Sequence, residues 1–166
     1  SLSFYRGSKQ PIHQDTAFVR VSSPMELAAS WIALEDVRPG SGELEYYEAS
    51  HRFPEFLFEG RTKWHAPGNQ ELGHYYDHLR RCAEERGLEP VRFLPRKGDV
   101  LIWSADLAHG GSAYTDTTST RRSLVTHYTP ADCHPMYFHY GDHTGKHAWG
   151  DRSYWCAMKK TYWEPG

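Results

Sequence analysis

Helical periodicity occurs in one stretch of this sequence, and the residues around it up to Pro130 are cut into short extended runs by turn residues. From Asn69, a natural helix cap, Leu72, Tyr75, Leu79 and Cys82 recur on one face until Gly87, which predicts a single helix near residues 70–87. The runs Ile12 to Val21, Ala28 to Leu34, Glu43 to Tyr47, Val91 to Leu94, Val100 to Trp103 and Arg122 to Tyr128 read as strands. Breaks such as Ser22-Ser23-Pro24, Arg38-Pro39-Gly40 and Arg96-Lys97-Gly98-Asp99 separate them. Many short strands with one inserted helix describe an all-β sandwich or barrel. The segment after Pro130 is crowded with His, Tyr and Trp and receives no assignment.

With 166 residues the chain is expected to form one domain around one core. Its opening residues already read as mid-domain strand and loop, so a native N-terminal region ahead of residue 1 is expected. A net charge of -2 gives no electrostatic reason for a nucleic-acid or anionic-membrane partner, and Arg80-Arg81 and Arg121-Arg122 are too small to form a basic patch. No apolar run approaches a membrane span. Cys82, Cys133 and Cys156 are scattered and odd in number, which suggests a reducing, cytoplasmic setting and no disulfide framework. The 11 histidines raise the prospect of a metal site.

His13-Gln14-Asp15 is the first part of such a site. In an extended segment residues i and i+2 project from one face, about 7 Å apart at their Cα atoms, so an imidazole and a carboxylate there can share one ion. A second His from elsewhere would complete the two-His, one-carboxylate set that leaves coordination positions open, as non-haem Fe(II) oxygenases require. His109, at the end of the run Leu101 to Ser112 and beside Gly110-Gly111, is the candidate. Twelve residues further on, Arg121 suits an antiparallel return beside the His109 strand that would aim its guanidinium into the same cavity. Arg121, Ser123, Val125 and His127 share a face, and a guanidinium with a hydroxyl makes a carboxylate anchor. A metal triad with such an anchor nearby describes a 2-oxoglutarate pocket.

The order of motifs resembles the phytanoyl-CoA dioxygenase family. It runs through His13-x-Asp15, Trp31-x-Ala33-Leu34-Glu35-Asp36, Gly42-x-Leu44 and Ser50-His51. Gly98-Asp99-Val100, Leu107-Ala108-His109-Gly110 and Arg121-Arg122-Ser123-Leu124-Val125-Thr126-His127-Tyr128 continue it, so that the likeness covers roughly residues 4 to 130. The resemblance implies a double-stranded β-helix (jelly-roll, cupin-like) core. It implies that His13, Asp15 and His109 ligate Fe(II), that Arg121 holds the distal carboxylate of 2-oxoglutarate, and that Trp31 lies beside that co-substrate. It also implies consumption of O2 and oxidation, most simply hydroxylation, of a small organic substrate. Related halogenating enzymes lack the carboxylate, so Asp15 favours hydroxylation, desaturation or cyclisation. Acyl-CoA thioesters, amino acids and secondary metabolites all fit the family.

Two other functions are open on the sequence: an inactive jelly-roll module that binds ligands, and a non-redox cupin enzyme using zinc-activated water. Arg122 competes with Arg121 for the anchor role, and Trp31 serves equally as core packing. His127 reads as a hydrogen-bonded residue of the cavity wall. His74 and His78 have metal-binding spacing but read as a solvated helix face, and Glu35, Asp36, Ser50 and His51 as turn and strand-end residues. His134, His139, His143 and His147 could belong to a lid or an interface, with a structural role as the default, and the segments around Trp64 and Trp149 could line a pocket.

Overall fold

A computed structural model describes residues 2–7, 10–21, 26–133, 135–137, 144–149 and 152–157. The strands are β1 (Leu2–Phe4), β2 (Val19–Arg20), β3 (Ala28–Ala33), β4 (Leu44–Tyr46), β5 (Val91–Phe93), β6 (Val100–Ser104), β7 (His109–Gly111), β8 (Ser123–Tyr128), β9 (Met136–Tyr137), β10 (Thr144–Trp149) and β11 (Arg152–Ala157). One sheet has the order β1-β8-β3-β6 and another β5-β4-β7, and every pairing in both is antiparallel. β2 pairs with β9, and β10 with β11. From β3 onward the chain passes from the larger sheet to the smaller and back: β3, then β4 and β5, then β6, β7 and β8. This winding is the double-stranded β-helix.

Alternation in β3 explains how the sheets meet. Ala29, Trp31 and Ala33 turn inward and are buried, beside Trp103 of β6 and Leu44 of β4. The Trp31 ring meets Phe93 of β5 edge-on, with centroids 5.8 Å apart, so a large aromatic spans the gap between the sheets.

The helix α1 (Leu72–Glu84) buries Tyr75, Leu79, Cys82 and Ala83 against Phe53, Phe58, Ala17 and Ala108. It begins later than the pattern predicts. Asn69 Oδ1 accepts the Glu71 N–H at 2.7 Å, forming a turn ahead of the helix, and Glu71 stands at the cap. Gly87 closes the helix at φ +62, with the Leu88 N–H returning to the Ala83 carbonyl at 3.0 Å. No helix among the described residues is long and apolar enough to cross a membrane.

Three local expectations are corrected. Ile12 to Val21 is not one strand: His13 forms an isolated bridge, and Asp15–Ala17 is a 3-10 turn closed by Ala17 N–H to Gln14 O and Phe18 N–H to Asp15 O. Leu101 to Ser112 is also divided. A turn after Ser104, closed by Leu107 N–H to Ser104 O, carries the chain from the larger sheet to the smaller. The strand after Arg121 therefore does not run beside the His109 strand. β8 pairs with β1 and β3, and β7 pairs with β4.

Candidate metal centre

His13 and His109 face each other across a two-residue antiparallel bridge, with His13 N–H to His109 O at 2.8 Å and the reciprocal bond at 2.9 Å. Such a pair places both side chains on one face, and the ring centroids are 4.7 Å apart. The segments meet this closely because residue 110 is glycine. A Cβ there would lie 2.8 Å from the Gln10 carbonyl oxygen and 2.9 Å from the Ile12 nitrogen.

Both imidazoles are oriented by their own chain. His13 Nδ1 lies 2.9 Å from the Pro11 carbonyl oxygen, and His109 Nδ1 lies 2.9 Å from that of Leu107. A carbonyl only accepts, so each Nδ1 carries the proton and each Nε2 presents a lone pair. Asp15 Oδ1 stands 3.8 Å from His13 Nε2 and 3.7 Å from His109 Nε2. These gaps are too long for hydrogen bonds, and all three ligand atoms lie within 4.8 Å of one another. Asp15 Oδ2 instead accepts the indole N–H of Trp103 at 3.1 Å and lies 3.5 Å from His127 Nε2.

All three side chains are buried. Burial, helped by the charge of neighbouring His109, lowers the His13 imidazole to about 4 against the opposing pull of Asp15. It is neutral at physiological pH, with no proton to displace before it ligates an ion. Burial alone would push the Asp15 carboxyl up, but His109, His127 and His13 outweigh it and hold it below the usual carboxylate range. A buried carboxylate oxygen facing two imidazole Nε2 atoms is a mixed oxygen and nitrogen donor set of the kind that fits a divalent cation. It is the one such cluster among the described residues.

Neighbouring groups fix the ligand-bearing turns. The Gln14 N–H donates to the Tyr75 hydroxyl at 2.7 Å, joining the Asp15 turn to α1. Asp106, in the crossover turn before His109, accepts Thr16 Oγ1–H at 2.7 Å and Lys63 Nζ–H at 2.8 Å, and its carbonyl accepts Gln14 Nε2–H at 2.7 Å. At the cavity mouth Gln10 Nε2 lies 3.3 Å from His13 Nε2.

Across the cavity Arg121 is 2% exposed. Its backbone N–H bonds to the Tyr5 carbonyl at 3.0 Å, just ahead of β8, and its Nη1 donates to the Gly42 carbonyl at 2.6 Å. The guanidinium lies between the Phe4 and Trp31 rings, 5.6 and 5.7 Å from their centroids. Burial lowers this arginine to about 10, although Glu43 opposes the shift. Arg121 Nε and Ser123 Oγ are buried without a hydrogen-bond partner, so this end has donors to spare for an anion. His13, Asp15, His109, Trp31, Arg121 and His127 line one cavity.

Arg122 points elsewhere, exposed, 3.7 Å from Glu35 and over the Tyr5 ring. Glu35 accepts Thr120 Oγ1–H and Arg122 N–H, Asp36 accepts Lys97 N–H, and Ser50 joins Tyr47 to Ala108, all structural roles. His51 ends up exposed in the 3-10 turn Ser50–Arg52. His78 bonds to the Pro54 carbonyl at 2.7 Å, and the exposed His74 belongs to no metal cluster. Trp64 packs under Arg20, outside the cavity wall. His134, His139 and His143 lie outside the described residues, as do the side chains of His147 and Trp149.

The sequence reading missed Trp103, Gln10 and Glu43. Trp103 faces inward in the alternating exposure of β6, but Val100 to Trp103 is apolar throughout, so the sequence does not mark it. Gln10 leaves an irregular segment and carries no signal of its own. Glu43, fully buried beside Arg121, accepts the Gly40 N–H at 3.0 Å and reads locally as a turn residue.

The fold and the site together define a jelly-roll protein in which two histidines and a carboxylate that could hold a metal ion share a cavity with a buried arginine. The family model for phytanoyl-CoA dioxygenase (PhyH) matches residues 4–123, and the chain belongs to that family. Human peroxisomal phytanoyl-CoA dioxygenase is 24% identical over 127 residues, which are 76% of this chain and 35% of that protein. Among solved structures, the non-haem alpha-ketoglutarate-dependent carbocyclase SnoK from nogalamycin biosynthesis aligns with a TM-score of 0.57 at 22% identity, covering 81% of this chain and 49% of SnoK. The epimerase SnoN, in complex with Fe3+, alpha-ketoglutarate and nogalamycin RO, aligns with a TM-score of 0.52 at 23% identity, covering 82% of this chain and 49% of SnoN. The chain thus spans about a third of the human relative and half of these structures.

Proposed function

We propose that this chain carries the active centre of an Fe(II)- and 2-oxoglutarate-dependent dioxygenase that hydroxylates a small organic substrate. One observation carries the reading: the buried triad His13, Asp15 and His109 shares a cavity with Arg121 Nε and Ser123 Oγ, both buried without partners. A zinc hydrolase of the same fold has no use for that second, cationic end. An inactive ligand-binding module has none for two imidazoles held with their lone pairs converging on a carboxylate.

In this reading His13, Asp15 and His109 hold the iron. Bound Fe(II), with 2-oxoglutarate and O2, would supply the oxidation: substrate C–H becomes C–OH while 2-oxoglutarate becomes succinate and CO2, one oxygen atom going to each organic product. The chain's own residues orient and protect. Arg121 Nε and Ser123 Oγ–H donate to the distal carboxylate, and Trp31 and Phe4 keep that ion pair out of water, where it is stronger. The Nδ1–H bonds to Pro11 and Leu107 prevent either imidazole from turning its lone pair away. This pre-set geometry is what the protein contributes to chemistry that the iron performs.

The test is anaerobic addition of 2-oxoglutarate to the Fe(II)-loaded full protein. A weak visible absorption band is expected, and Asp15→Ala should diminish it. Confirmed iron binding without any band refutes the assignment.

A further inference from the structure

We infer that Trp103 and His127 are positioning residues that confine Asp15 to one-point ligation and thereby set how many coordination positions remain open. The inference rests on the oxygenase reading above and deepens it. Asp15 has two oxygens in different surroundings: Oδ1 faces both imidazole Nε2 atoms, while Oδ2 accepts Trp103 Nε1–H at 3.1 Å and has His127 Nε2 at 3.5 Å.

An indole N–H only donates, so Trp103 can hold a carboxylate oxygen but cannot ligate a metal itself. Its ring has little freedom, being buried in β6 with the His109 ring 4.8 Å away. The base of the Asp15 side chain is fixed too, by Gln14 N–H on Tyr75 and Thr16 on Asp106. Turning the carboxylate until both oxygens faced the imidazoles would break the Trp103 bond and draw Oδ2 from His127.

The number of ligands decides whether the reaction can assemble. On a six-coordinate ion, two imidazoles and one carboxylate oxygen would leave three positions for 2-oxoglutarate and O2 to share. A carboxylate bound through both oxygens leaves two, so co-substrate and O2 would compete. The clamp therefore acts on co-substrate binding more than on metal binding, because the second oxygen would compensate the ion while blocking the co-substrate.

The experiment compares the full chain with Trp103→Phe/His127→Phe, Trp103→Phe, His127→Phe and His127→Gln. Mn(II) alone is titrated by electron paramagnetic resonance, and 2-oxoglutarate by the anaerobic Fe(II) band. The double variant is expected to bind Mn(II) within about threefold of the parent, while half-saturation by 2-oxoglutarate rises about tenfold or more. His127→Gln, which restores an N–H donor, should recover most of what His127→Phe loses. Unchanged half-saturation in the double variant overturns the clamp, as does equal loss of Mn(II) and 2-oxoglutarate binding. If the double variant does not fold, the comparison of His127→Phe with His127→Gln decides by the same criteria. A parent that binds Mn(II) yet gives no band removes the oxygenase reading and the clamp with it, whereas a normal parental band with unaffected variants removes the clamp alone.

Discussion

Gly110→Ala tests whether close approach of two backbone segments, rather than the ligand side chains alone, makes the centre. The added methyl would sit 2.8 Å from Gln10 O, 2.9 Å from Ile12 N and 3.0 Å from Ile12 Cα, against ordinary contact from 3.4 Å. All three obstacles are backbone, so none can move aside by changing a rotamer. Relief requires the Gln10–Ile12 segment to retreat by about 0.6 Å, and His13 is joined directly to it. Metal–ligand distances tolerate about 0.2 Å, so the retreat exceeds what His13 Nε2 can absorb. Mn(II) affinity is expected to fall about tenfold or more, which corresponds to about 1.4 kcal/mol. Overpacking should also cost the ion-free fold about 1–3 kcal/mol. Gly73→Ala is the control: it lies exposed in α1 with nothing within 4 Å of the added methyl, and should stabilise by about 0.5–1 kcal/mol without touching metal affinity. Titration of Mn(II) alongside thermal melts of both variants makes the measurement. Wild-type Mn(II) affinity in Gly110→Ala would refute the reasoning.

Arg121→Lys keeps a positive charge but loses the planar fork, and is expected to weaken 2-oxoglutarate by about 10- to 100-fold in the anaerobic titration while leaving Mn(II) affinity unchanged. Tyr75→Phe strips the buried Gln14 N–H of its acceptor and should cost about 1–3 kcal/mol in urea unfolding. Acid should destabilise the ion-free protein through His13, whose folded value is about 4 against an ordinary 6.5. The unfolded chain takes up that proton first as pH falls, so the contribution is complete above 6.5 and is lost progressively toward 4. The loss amounts to about 3 kcal/mol over that window, readable from urea midpoints at successive pH values.

The candidate site residues, of which the structure brings His13, Asp15, His109 and Arg121 into one cavity, were legible because chemistry restricts such groups to few residue types and the chain writes them as short patterns: His13-x-Asp15, His109 beside glycines, and Arg121 with Ser123 two residues on. Inward-facing positions of β3 and the buried side of α1 followed from periodicity for the same local reason. Sheet partnership was not local. The turn between Ser104 and His109 contains no Gly or Pro, so the run looked continuous although it changes sheets there. Arg121 consequently enters from the opposite wall of the barrel, in the expected cavity but by an unexpected route. Trp103 and Gln10 acquire their roles from contacts across 88 and 3 residues, and neither residue type advertises such a role.

Asp106 gives the centre a mechanical character. One residue receives Thr16, Lys63 and Gln14, so the turn bearing Asp15 and the turn leading to His109 form a single braced body. Little chain ordering is left for an arriving ion to induce, and its intrinsic affinity is not spent on folding a loop. Chelators should accordingly strip the ion and leave the barrel standing, unlike small zinc domains that collapse when emptied.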